Sequence, residues 1–119
     1  MVTYLQLNRK YLTEADDLIA KGDYAQGSEK LWGGFVEMVK AIAAAHGEML
    51  GTHRSIAQYL LQLDKEHPEL RLHDAFAHAD KLHTNFYEDH LPPEDVARSA
   101  EVIKKAIRQM TETFPTGDS

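Results

Sequence analysis

The chain has 119 residues, no cysteine and a net charge of −6, with 19 acidic against 13 basic residues. That length fits one domain able to bury roughly two thirds of its unfolded surface, and the missing thiols exclude disulfides, thiolate catalysis and Cys-based zinc sites. Dispersed Lys and Arg on an acidic chain argue against binding of extended duplex DNA.

No apolar run approaches the ~20 residues that span a bilayer. The first six residues lack a basic start and an apolar stretch, so the expectation is a cytoplasmic protein without membrane contact.

Apolar residues recur at spacings of three and four and never alternate for long, which predicts helices and no strands. In the first helix Tyr4, Tyr11, Leu12, Ala15, Leu18 and Ile19 make a stripe that ends at Gly22. Asp23 opens the second helix with Gln26 three residues on, a capping-box arrangement. Tyr24, Leu31, Trp32, Phe35, Met38, Val39 and Ile42 give this helix the broadest apolar face, marking it as the central one. Gly27 and Gly34 lie on one line of it, and each costs about 1 kcal/mol against Ala. Such a cost points to the close approach of a neighbouring helix or, alternatively, of a ligand.

A third helix is expected from Thr52 or His53 to Glu66, with Ile56, Leu60 and Leu63 inward. The fourth is expected from about Glu69 to His90. Pro92-Pro93 starts the fifth in the way proline favours, and Val96, Ala100, Ile103, Ile107, Met110 and Phe114 form its stripe. Lys104, Lys105 and Arg108 near its end, with Glu94, Asp95 and Glu101 toward its start, complement the helix dipole. Short connections predict an all-α, up-and-down bundle of four to five antiparallel helices. It would fill residues 1–114 as one domain, with 115–119 as a disordered tail.

Seven histidines are the unusual polar population. His73, His78 and His83 are five apart, so successive rings turn about 140° around a helix. With no H-E-x-x-H or E-x-x-H motif, neither a metal site nor a cofactor is expected. Projection of the fourth helix separates a core face, Leu72, Ala75, Phe76, Ala79, Leu82 and Phe86, from a polar stripe, Arg71, Asp74, His78, Lys81 and Asn85. His83, Tyr87 and His90 fall inside or along the edge of the core face. His83 and Tyr87 read either as amphipathic packing or as the polar floor of a groove against the second helix. The candidate binding residues are therefore His83, Asn85 and Tyr87, with Trp32 and Gly34 from the second helix. Arg71 and His78 project within about 20° of each other. An Arg that stabilises phosphoryl charge and a His that moves a proton are the minimal parts of metal-free RNA cleavage, although such a stripe is also an ordinary solvated face.

Three passages carry a family resemblance: Gly22-Asp23-Tyr24-Ala25-Gln26-Gly27-Ser28-Glu29-Lys30-Leu31-Trp32-Gly33, Thr52-His53-Arg54-Ser55, and Leu82-His83-Thr84-Asn85-Phe86-Tyr87-Glu88 with Leu91-Pro92-Pro93-Glu94. Their order and spacing resemble the HEPN superfamily, and within it the small archaeal-type PaREP/HEPN-like proteins. The resemblance implies a helical bundle, often a homodimer, found beside nucleotidyltransferases or in toxin–antitoxin-like systems. Some HEPN branches are metal-independent ribonucleases with an Arg-x4-6-His motif, whose spacing Arg71 and His78 satisfy. Here Leu72 stands where that branch favours a polar residue, and the branch this chain most resembles generally lacks the motif. The implied function is a non-catalytic, homodimeric module that binds a partner protein such as a nucleotidyltransferase, a nucleotide or both. The alternative is a ribonuclease toxin that cleaves RNA through Arg71 and His78.

Overall fold

Most helix starts in this chain are fixed by side-chain oxygens. In the computed structural model, which describes residues 3–116, α1 spans Tyr4–Ala20, α2 Tyr24–Ala45, α3 His53–Glu66, α4 Leu72–Glu88 and α5 Pro93–Thr113, with a short 3-10 turn at Pro68–Leu70. Thr3 with Gln6 and Thr52 with Ser55 form reciprocal capping boxes that satisfy otherwise orphaned amides at the starts of α1 and α3. At α2 only half of the expected box forms, with Asp23 Oδ1 accepting from Gln26 N at 3.1 Å.

α4 starts differently from the sequence expectation. Residues 68–70 make the 3-10 turn, and Arg71 follows in the left-handed region at φ 51°, so the α-helix begins at Leu72 rather than near Glu69. No side chain of its own caps it. Asp64 on α3 substitutes, its two carboxylate oxygens accepting from Leu72 N at 2.7 Å and His73 N at 2.9 Å. A negative charge at a helix N-terminus also complements the dipole.

Close packing sets the α1/α2 pair. A Cβ at Gly27 would stand 2.7 Å from Ile19 Cγ1, and one at Gly34 would stand 2.9 Å from Leu12 Cδ2. Contacts at 27 with 19 and 34 with 12 run in opposite chain directions, so the two helices are antiparallel. Buried Asn8 stitches them further, Nδ2 donating to the Gly34 carbonyl at 2.6 Å. The cost of the glycines is therefore offset by a neighbouring helix. Gly34 is a packing position, not part of an open binding surface.

All the residues expected inward on α3 and α5 are buried: Ile56, Leu60 and Leu63, and Val96, Ala100, Ile103, Ile107, Met110 and Phe114. α2 supplies the centre with Leu31, Phe35, Met38, Val39 and Ile42. Neighbour order departs from a simple up-and-down succession. α2 packs chiefly on α1 and α4, touches α5 more than α3, and α3 sits mainly on α4. The result is an all-α bundle, and no strand occurs among the described residues.

α4 consequently has neighbours on both flanks, and this overturns the placement of Asn85. Along the stripe that projection assigns to solvent, Asp74 and Lys81 are exposed, but its C-terminal end is covered and Asn85 is fully buried. Its Oδ1 accepts from His90 N and Leu91 N, both at 2.9 Å, while Nδ2 donates to Ser28 Oγ at 3.2 Å. Asn85 thereby ties the chain leaving α4 to the first turns of α2. Asp89 in the left-handed region ends the helix, leaving His90 beyond it and exposed rather than at the core edge. Among the described residues no helix is long and apolar enough to cross a membrane. Of the expected tail, residues 117–119 lie outside the described residues, and Thr116 lines a shallow hollow with Tyr4 and Leu5.

Candidate functional site

Trp32 stands on α2 where α1, the start of α3 and the middle of α4 leave a face of that helix open. His53 and His83 both stack on its indole, at 4.8 and 4.7 Å between centroids and 21° between planes in each case. The two imidazoles are 6.2 Å apart. Rings on opposite faces of the indole would be separated by twice a van der Waals gap of roughly 3.5 Å, so the imidazoles lie side by side on one face. Phe76 closes the cluster from the core side, 5.3 Å from His53 in an edge-on contact.

Each imidazole is held by its own carboxylate. His83 Nδ1 donates to Glu29 Oε1 at 2.8 Å, and His53 Nε2 donates to Asp80 Oδ1 at 2.9 Å. These bonds fix both ring orientations and leave His83 Nε2 and His53 Nδ1 without a hydrogen bond among the described residues. Glu29 and Trp32 sit three apart on α2, and Asp80 and His83 three apart on α4, so carboxylate and ring share one helix face in both cases. Tyr87 completes the rim, edge-on to His83 at 5.5 Å. It is 71% exposed, so of the two placements that projection allows it stands at the outer edge and not inside the core face. Exposed aromatic area of this kind commonly marks an interaction surface.

Beside the indole a groove of about 350 Å³ runs along α2, lined by Tyr11, Glu29, Lys30, Trp32, Gly33, Val36, Glu37 and Lys40. The Tyr11 ring packs directly on Gly33, where a Cβ would lie 3.0 Å from it. Lys30 Nζ is held 2.7 Å from Glu14 and lies 5.0 Å over the Tyr11 ring. That hydrogen bond, more than the charge itself, holds the Glu14 carboxyl below its usual range. Glu37 is the anomaly of the groove. Its Oε2 is buried and has no hydrogen-bond partner, and burial raises its pKa against the opposing pull of Lys40.

The sequence-named residues fall into three places. Trp32, His83 and Tyr87 meet in the aromatic cluster. Asn85 and Gly34 are buried in helix packing. Arg71 and His78 do not share a helix face as projected, because Arg71 precedes α4. Arg71 is exposed and contacts Asp74 at 3.6 Å, while His78 Nδ1 is 3.0 Å from Ser99 Oγ on α5. They also line separate hollows. His53, Asp80, Glu29 and Glu37 are the residues that sequence reasoning missed. The available signal was a carboxylate three residues before a ring on both α2 and α4. Among the described residues no group of three or more His, Cys, Asp or Glu is arranged to hold a metal ion.

Fold and face together define a small all-α bundle with an open aromatic–imidazole surface on its central helix. The family model for the archaeal PaREP1/PaREP8 family matches residues 3–107, and the chain belongs to that family. A crystal structure of a protein from Sulfolobus solfataricus is similar in fold, with a TM-score of 0.79 at 19% identity over 89% of this chain and 94% of the other. No curated protein matches.

Proposed function

We propose that this chain is a non-catalytic binding module that works as a homodimer and engages a partner protein through the face around Trp32. The observation that carries the reading is the cluster itself. His53 and His83 are locked in orientation by Asp80 and Glu29 and stack on Trp32, and an exposed Tyr87 stands at the rim. Rigid aromatic anchors with polar handles lose little entropy on binding, which is why Trp and Tyr dominate interface hot spots. A nucleotidyltransferase is the partner class that the HEPN resemblance suggests. Nucleotide binding on the same face is the extension that resemblance suggests, with bases stacking on the exposed rings.

The separation of Arg71 from His78 within one chain weighs against the ribonuclease reading, which then needs a second protomer to bring the two groups together. The test compares native-host co-purification by the wild-type chain and by folded Trp32→Ala and His83→Ala variants, alongside RNA cleavage and mass in solution. Loss of a specific partner in both variants supports the reading. Cleavage that disappears in Arg71→Ala and His78→Ala would replace it with the ribonuclease.

A further inference from the structure

We infer that the groove between Tyr11 and Trp32 is a socket for one arginine side chain of a basic partner segment. The inference rests on the binding-module reading and specifies the chemistry of its partner. Four observations converge on a planar cation with several N–H donors.

The first is Glu37 Oε2, buried in the groove wall with no donor among the described residues. Leaving such an acceptor unpaired is costly, and a turn of the groove-lining carboxylate toward an incoming N–H removes the cost. The second is the wall composition. Trp32 lines the groove while His53 and His83 do not, so the indole offers the groove ring surface that the imidazoles leave uncovered. A guanidinium stacks on such a ring while its fork serves a carboxylate, a combination that an ammonium matches poorly. The third is that Lys30 already places a cation over the neighbouring Tyr11 ring, showing that this wall accommodates one. The fourth is the acidic balance of the chain, −6 overall, which attracts basic segments.

Lys40 is the opposing group. It lines the same groove and makes no ion pair with Glu37 among the described residues, so its charge repels an incoming guanidinium without being neutralised. Lys30, by contrast, is occupied by Glu14. The socket therefore has a sign pattern that a merely apolar groove lacks. Removing Glu37 weakens arginine binding, and removing Lys40 strengthens it at a pH where Glu37 is ionised in both forms. Because binding a cation favours ionised Glu37, affinity also rises with pH through the raised pKa of that carboxyl.

Trp32 is the sole tryptophan, so its emission reports the site directly. The probe is N-acetyl-arginine amide, titrated into the intact chain beside its neutral isostere N-acetyl-citrulline amide. The expected result is a saturable emission change with the arginine probe and at least tenfold weaker binding of the citrulline probe. Glu37→Gln should weaken the arginine probe about fivefold or more, and Lys40→Ala should tighten it severalfold, with helical circular dichroism preserved in both. No saturable change, equal binding of both probes, or an affinity unchanged in Glu37→Gln would overturn the socket. Partner co-purification that depends on Trp32 while the arginine probe fails overturns the socket alone and leaves the binding module standing.

Discussion

Replacing Asn85 with Ala is the sharpest test of how the end of α4 is held. The amide is fully buried and makes three hydrogen bonds, accepting from His90 N and Leu91 N and donating to Ser28 Oγ. Truncation leaves two amides without an acceptor and removes a donor from Ser28 Oγ, which still donates to the Tyr24 carbonyl. Each such loss costs about 1–3 kcal/mol when water cannot enter. Here the 90–91 segment lies near the surface, so water recovers part of it, and a total of roughly 2–4 kcal/mol follows. With about 2.1 cal/mol/K of unfolding entropy per residue, a chain of 119 residues should lose roughly 8–16 °C in Tm. Thermal melts followed by circular dichroism read this directly, and hydrogen exchange at His90 and Leu91 should accelerate as well. A solvent-facing asparagine, as helical projection alone suggests, would change stability by no more than ~0.5 kcal/mol. A Tm within about 2 °C of wild type would therefore refute the latch.

Substitutions at three further positions probe other joints of the fold. Asp64→Ala removes both acceptors at the start of α4 and should cost about 1–2 kcal/mol in urea unfolding; Asp64→Asn should recover part of it. Gly34→Leu drives a side chain into Leu12 and the α1 backbone and should cost about 2–3 kcal/mol, whereas Gly34→Ala, helped by propensity, should cost about 1 kcal/mol or less. Glu37→Gln should raise Tm at neutral pH. The folded-state pKa of Glu37 lies above its ordinary 4.5, so its contribution is intact below that value and lost as pH rises through the raised one. The Gln advantage should shrink accordingly on acidification, and a pH-independent difference would contradict the burial account.

Periodicity located the helices, and the stripes of α3 and α5 are buried residue for residue, whereas on α1 only Ala15 of the expected stripe is buried and the rest is half-buried. The glycine line on α2 was legible because its cost demands a close neighbour. Projection failed where one helix touches several others. Asn85 looked solvated because a wheel has no information about α2 and the 90–91 segment closing over that end of the helix. Arg71 looked aligned with His78 because Pro68 diverts the chain into a 3-10 turn whose end the pattern does not mark. The Trp32 cluster was half legible. His83 and Tyr87 stood out by composition, but His53 reaches Trp32 only through the return of the chain at the start of α3. No spacing rule encodes that contact.

The face around Trp32 as a partner-binding surface is tested most directly by co-purification from native cells. Wild-type chain, Trp32→Ala, and the Arg71→Ala/His78→Ala double variant should be compared at matched expression and verified folding. A specific protein partner should accompany the wild type and the double variant and be lost from Trp32→Ala. The same partner retained by Trp32→Ala, or RNA cleavage by the wild type that the double variant lacks, would contradict it.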